Sequence, residues 1–408
     1  MWNFALRNVG RNSRRSLLTM AGIMAGVTCI LIVGGYYEYN YWGLRESFIR
    51  SQYGHIQITL KGYKAQKIEE PFRYLIPSSE KLVTLLEQLE EVEVVVPYLT
   101  FFGILETPTG NSELVMVRGV KPEAERQLTT FFTRKLGKDL TDQDRGMAEL
   151  GFELARKTGL EIGSEFWLTT ITADGTQNAI PLTVKGIIGS YSADFDARIL
   201  RLPLGTAQLL TGARGIQELV VLLRSTEKTV EMRQKIQQLL QQEGWDLEVS
   251  TWQEQTGYYS QVVQFYGGYF RLIFVIVVVV AFSTTLNTMI MGLFERMGEI
   301  GTLRSFGANR WFLLRLFLAE GLMFGLGGTV AGFLLSLGIT VGIHLAGGIP
   351  MAPPPGLTTR VSVYILFTPF TVGIATLTGL AVPLLATLFP ACRILRADII
   401  DQIRSGEK

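Results

Sequence analysis

Histidine and cysteine are nearly missing from this chain, with two of each in 408 residues. Cys29 and Cys392 fall in or beside apolar segments, so they offer neither a disulfide framework nor a cysteine-ligated metal site. His55 and His344 stand far apart, and neither has a second ligand at metal-binding spacing. No metal site and no cofactor site are expected in this chain. Charge is thin too: 18% of the residues are charged, against about a quarter in soluble domains. The 38 basic and 36 acidic residues leave a net charge of +2, which makes no case for nucleic acid. Absent as well are G-x-S-x-G, H-E-x-x-H and the phosphate-cradling G-x-x-x-x-G-K-[ST]. The chain is therefore not expected to be an enzyme or to hydrolyse ATP itself.

What it has instead is long apolar runs and a mean hydropathy of +0.26. Four runs suit the roughly 20 residues that a helix needs to cross a bilayer: Leu17 to Gly35, Leu272 to Leu293, Gly321 to Ile343 (begun near Phe312) and Val361 to Phe389. Lipid offers no hydrogen bonds to bare backbone, so each reads as a helix. A cleavable signal peptide competes for the first, which follows Arg7, Arg11, Arg14 and Arg15. Its long apolar run and the Tyr36-Tyr37-Glu38 that follows favour an uncleaved anchor. The arginine-rich start, the loop after the second run and the tail with Arg393, Arg396 and Arg404 belong on the cytoplasmic side. Tyr36, Tyr37, Tyr39, Tyr41 and Trp42, with Tyr258, Tyr259, Tyr266, Tyr269 and Phe270, read as one aromatic belt at the outer interface. Both termini are then cytoplasmic.

The long stretch between the first two runs has ordinary globular character and is large enough for its own core. Strand-like runs are His55–Leu60, Val92–Val96, Leu114–Val120, Phe166–Thr170, Leu182–Gly189 and Val220–Leu223; helical ones are Glu80–Leu89, Gly151–Thr158 and Glu227–Gln242. The fold class expected is an α-helical membrane protein with four transmembrane helices and a large α+β extracytoplasmic domain inserted between helices 1 and 2. Asp194 and Asp196 read as a solvated loop rather than an acid/base pair.

The segment "ERMGEIGTLRSFGANRWFLLRLFLAEG", from Glu295 to Gly321, is charged and turn-rich between two apolar runs. Phe294, Met297, Ile300, Leu303 and Phe306 recur every three residues among Glu295, Arg296, Glu299 and Arg304, as in a helix that leaves the second span and turns amphipathic. Gly307 is placed to stop it and Asn309 to start the next helix. No proline interrupts Thr256 to Phe306, so one continuous rod is expected, with Gly267 and Gly268 as its weak point. Glu320 lies inside the next apolar run, where an ionised acid is costly; Arg296, Arg304 and Arg315 are its candidate partners. Gly321, Gly325, Gly328 and Gly332 line one helical face, Gly338 and Gly342 continue the spacing, and Gly22 and Gly26 repeat it in the first run, all marking close helix packing. Ser283, Thr284, Thr285, Asn287 and Thr288 are expected to bond between helices.

"ERMGEIGTLRSFGANRWFLLRLFLAEGLMFGLGG" resembles the signature region of FtsX-like permeases of ABC transporters, where E-x-x-x-E-I-G-x-L-[RK]-[AS]-x-G-A precedes an apolar helix bearing an acid. "LFPACRILRADIIDQIR" is similar to the closing motif of that family, and "GMAELGFELARKTGLEIGSEFWL" to the outside core domain of MacB-type members. "GHIQITLKGY" and "TWQEQTGYYSQV" resemble the lipoprotein-releasing, LolC/LolE-like branch. The resemblance implies an interfacial amphipathic helix over 1–16, spans over 17–37, 262–294, 311–345 and 361–390, and a MacB-like core domain over 45–260. An outer loop fills 346–360 and a cytoplasmic tail 391–408. It also implies a coupling region over 295–310 that seats on an ATPase through Glu295, Arg296, Glu299, Ile300, Leu303, Arg304, Phe306, Gly307 and Arg310. The implied partners are a cytoplasmic ATPase dimer that binds ATP and Mg, a second permease subunit (identical or not), a periplasmic chaperone or adaptor, and a lipoprotein or lipid-like cargo. The location implied is a bacterial inner membrane. Efflux of the MacB kind and FtsX-like activation of an outside hydrolase are the competing outputs.

Overall fold

The computed structural model describes residues 13–66, 70–77, 79–130, 134–190, 193–255, 257–351 and 361–396. Most of the expected interfacial helix (1–16), much of the outer loop (346–360) and most of the tail (391–408) lie outside these residues. The chain divides into two units: a helical one, built from the residues up to Trp42, from Gln261 to Met351 and from Ser362 onward, and a sheet unit built mainly on Gly43–Ser260.

The described residues of the sheet unit form ten strands: β1 (Ile56–Leu60), β2 (Val92–Glu106), β3 (Ser112–Val120), β4 (Arg134–Gly137), β5 (Met147–Gly151), β6 (Glu165–Ile171), β7 (Gln177–Gly189), β8 (Ile199–Pro203), β9 (Glu218–Leu223) and β10 (Leu247–Thr251). Strand β2 organises them. Its first half pairs with β9 in the antiparallel order β10–β1–β9–β2. Its second half pairs with both β3 and β6. From there the pairing runs β3–β8–β5–β7 and returns through β6, so six strands close into a ring and leave no free edge among themselves. Alternation along these strands sends Phe101, Leu105, Val115, Val117, Leu150, Phe166, Leu168, Leu182 and Leu200 into one buried core. Gly103 is required there, because a Cβ would stand 2.9 Å from both the Leu168 side chain and the Thr169 carbonyl. Helix α5 (Leu204–Thr211) lies against β2, β3, β6, β7 and β8, with Ala207 and Leu210 in the same core. Helices α2 (Ser79–Glu87) and α6 (Thr229–Gln242) cover the four-stranded half through Leu82, Leu86, Met232, Ile236 and Leu240. Two further short helices are α3 (Pro122–Leu128) and α4 (Phe152–Thr158).

Asp196 corrects one expectation. It is not solvated: both carboxylate oxygens accept from the Ser190 backbone N–H at 2.9 Å, and burial pushes its pKa up. Asp194 is exposed, so the two carboxylates do not work as a pair.

Among the described residues, four helices are long and apolar enough to cross a membrane: α1 (Ser13–Phe48), α7 (Gly257–Glu295), α9 (Arg310–Leu345) and α10 (Pro369–Arg396). The last starts later than the run at Val361 predicts. Val361–Val363 forms a short strand β12 beside β11 (Ile349–Met351), and Pro369, which has no N–H to leave unpaired, opens the helix. The glycine stripe of α9 serves two neighbours. Gly321 and Gly325 face Thr387 and Gly379 of α10; Gly328 and Gly332 face Ile23 and Val27 of α1. Thr28 donates to the Gly332 carbonyl at 3.1 Å, a contact that only such close backbones permit. Gly22 and Gly26 of α1 face Thr284 and Ala281 of α7, whereas Gly338 and Gly342 face open space. The polar patch of α7 departs from expectation: Thr284, Thr285 and Thr288 donate to the carbonyls of Val280, Ala281 and Thr284 in their own helix.

His55 is buried in the sheet unit, and its burial, with Arg50 and Arg45 nearby, lowers its pKa from 6.5 to about 4. Unfolding therefore takes up a proton between those values, and this contribution to stability is lost as pH falls from 6.5 towards 4, by about 3 kcal/mol at the limit. Denaturant unfolding of the full chain at pH 7 and pH 4.5 should show a shallower pH dependence in His55→Gln than in the natural protein. Equal slopes would show that His55 is not held neutral.

Candidate coupling site

The turn between α7 and α9 is built from a nine-residue helix, α8 (Met297–Ser305). The expected single rod is broken at Arg296, whose backbone (φ −102°, ψ 13°) leaves the helix while its side chain turns to Glu320 of α9. One guanidinium nitrogen, Nη1, lies 3.2 and 3.3 Å from the two carboxylate oxygens, and both side chains are largely buried. Of the three arginines that sequence left open for Glu320, the structure brings Arg296 to it. The break has a physical cause: continuing α7 as a regular helix would forfeit this pairing at a site where an isolated carboxylate is costly. Gly267 and Gly268, by contrast, do not interrupt α7.

A cavity of about 40 Å³ adjoins the pair, lined by Ser16, Thr19, Thr288 and Thr387 as well as Arg296 and Glu320. That is room for about one water, among hydroxyls able to bond it.

Helix α8 is anchored on one side only. Ile300, with Met297, packs into a cluster with Leu293, Leu313, Phe317, Ala391, Ile394 and Leu395, which joins α8 to the ends of α9 and α10. Its other apolar residues point away: Leu303 is 45% exposed and Phe306 85% exposed. Glu295, Glu299 and Arg310 are exposed beside them, and Arg304 is half-buried. Gly307 (φ +92°) ends the element in a conformation disfavoured for other residues, and the Asn309 side chain accepts from the Trp311 N–H at 3.2 Å to start α9. The segment presents two exposed apolar side chains, Leu303 and Phe306, flanked by charged residues.

Sequence reasoning missed a second charged site, in the sheet unit. Arg201 of β8 is buried under α3 between Glu125, at 2.6 Å, and Glu149, at 3.3 Å, beside a cavity of about 170 Å³. Glu149 also accepts from the Leu140 N–H. These residues come from separate strands and a helix, and no local spacing links them.

Residues 271–399 match the FtsX-like permease C-terminal family, and residues 16–239 match the MacB-like periplasmic core domain. The chain belongs to the FtsX-like, MacB-type permeases of ABC transporters. It is similar to the lipoprotein-releasing system transmembrane proteins LolE and LolC of Haemophilus influenzae. The identity to LolE is 24%, over 76% of each chain; to LolC it is 23%, over 83% of this chain and 85% of the relative. The solved periplasmic region of MacB from Actinobacillus actinomycetemcomitans covers 53% of this chain and 95% of its own length, at 12% identity and a TM-score of 0.40.

If the Arg296–Glu320 pair holds the elbow, Glu320→Ala should cost about 3 kcal/mol, because it leaves a buried guanidinium uncompensated. The double change Arg296→Met, Glu320→Leu should recover most of that loss. Thermal unfolding in lipid nanodiscs reads both, and a double variant no more stable than Glu320→Ala would contradict the pairing.

Proposed function

We propose that this permease is the mechanical half of an ABC transporter of a bacterial inner membrane, with both termini cytoplasmic. A separate ATPase, which binds ATP and Mg, drives it to extract a lipoprotein or lipid-like cargo from the outer leaflet. The observation that carries the reading is the elbow at α8: an anchored helix whose Leu303 and Phe306 side chains stand exposed at its tip. ATP-driven closure of an ATPase dimer would move two such tips together. The Arg296–Glu320 pin passes that displacement into α7 and α9 together rather than letting α8 swivel. A nucleotide can shift such an equilibrium only by binding one state more tightly, so the tip must contact the ATPase differently in its two states.

A second permease subunit belongs in the same reading. Along α7 the residues Phe265, Tyr269, Leu272, Ile276, Val279, Ser283, Asn287, Met291 and Phe294 are all exposed. The apolar ones suit lipid, but Asn287 and Ser283 do not, and another copy or a related chain would cover them. The cargo class rests on the lipoprotein-releasing relatives.

Glu299→Lys and Arg304→Glu test the elbow. In nanodiscs holding the permease and its ATPase, each variant should keep the membrane part folded and hydrolyse ATP within about twofold of the natural complex. Release of a fluorescent lipoprotein should fall about tenfold or more. Unchanged ATPase association together with unchanged release would rule out the coupling role.

A further inference from the structure

The last turn and a half of α1, from Gly43 to Phe48, belongs to the sheet unit. Helix α1 passes at Phe48 into a five-residue π-helical turn, Ile49–Tyr53, and Gly54 then turns the chain into β1. Gly54 has φ +57°, its N–H donates to the Ile49 carbonyl at 2.9 Å, and a Cβ there would stand 2.4 Å from the Val220 side chain and 2.9 Å from the Val221 carbonyl. The helix end is therefore pressed directly onto β9.

His55 makes that junction directional. The Leu223 N–H of β9 donates to its Nδ1 at 2.9 Å, so Nδ1 must be the unprotonated nitrogen and Nε2 carries the hydrogen. Nε2 donates to Thr226 Oγ1 at 2.9 Å, and Thr226 Oγ1 donates in turn to Glu46 Oε1 of α1 at 3.3 Å. Each hydroxyl and imidazole group thus has one assigned role, and the chain ends on a carboxylate buried in the last turns of the helix. Arg50 at 3.1 Å and Arg45 at 3.5 Å pair with Glu46 and fix its direction. His55 and Phe48 also reach the start of α7. The Trp252 N–H donates to the His55 carbonyl at 3.1 Å, the Trp252 ring meets Tyr259 edge-on at 4.6 Å, and Tyr259 meets Phe48 of α1 edge-on at 5.9 Å.

We propose that His55 and Thr226 are positioning residues for coupling: the Leu223–His55–Thr226–Glu46 relay locks the outer end of α1, and through Trp252 and Tyr259 the first turn of α7, to strand β9. Displacement of either helix is then passed to the strand instead of being absorbed at the junction. This role rests on the permease reading above, but the lock itself does not.

Thr226→Val removes the hydroxyl at nearly constant volume, and Thr226→Ser restores it. Hydrogen–deuterium exchange on the full chain in nanodiscs reads the lock alone. In Thr226→Val the amides of 46–53 and of Leu223 should exchange about fivefold faster or more, the loss expected for a buried hydrogen bond or two, while the amides of β3 and β8 stay unchanged. Thr226→Ser should return them to the natural rates. In the assembled transporter, Thr226→Val should keep ATP turnover within about twofold and lower cargo release about tenfold, again with rescue by Thr226→Ser. Unaltered exchange in Thr226→Val overturns the lock whatever the protein transports. Faster exchange with release intact overturns the positioning role. Should the natural chain neither bind an ATPase nor release cargo, the permease reading fails and the exchange experiment still decides the lock.

Discussion

The organisation of this protein turns on one ion pair placed where ion pairs are expensive. Glu320 sits within an apolar helix and would not be tolerated there alone; Arg296 neutralises it from the end of the preceding span. The pairing has a structural consequence larger than its energy. It takes Arg296 out of helical geometry, ends α7, and lets α8 start in a new direction with Ile300 turned into the α9–α10 packing and Phe306 turned out.

Close packing supplies the second constraint. Helix α9 approaches α10 and α1 through consecutive glycines of a single stripe, so those helices cannot slide past one another without losing backbone-level contacts. Helix α7 touches α1 through Gly22 and Gly26 but leaves most of its own surface uncovered. In the sheet unit the closed ring of six strands gives a stiff body with β2 running through both halves, and β9 lies next to β2 in the half that receives α1.

Much of this could be read in the sequence because it is periodic or local. The cores of the four apolar runs, the Gly321–Gly332 part of the glycine stripe and the Gly307–Asn309 stop and start depend on spacing within one segment, and the structure has them there, whereas Gly338 and Gly342 face open space. The boundary of α10 was misread because Val361–Val363 is apolar enough for a helix, while its pairing with Ile349–Met351 is a tertiary fact. The break at Arg296 was missed for the same reason: nothing near it marks a stop, and the cause is a carboxylate on the next helix. Strand β2 was read only to Val96, although Pro97 is accommodated and pairing continues to Glu106. The buried Arg201 between two glutamates and the His55 relay join residues far apart in sequence, so no pattern within a segment could announce them.

The central claim is that a nucleotide-driven partner pushes on the tip of α8 from the cytoplasm. The most direct measurement is site-specific photocrosslinking in living cells, with benzoylphenylalanine in place of Phe306. The account predicts a covalent adduct with a soluble ATPase subunit, formed from the cytoplasmic side, whose yield changes when ATP hydrolysis is blocked. Crosslinking to an extracytoplasmic protein, or only to lipid, would contradict it.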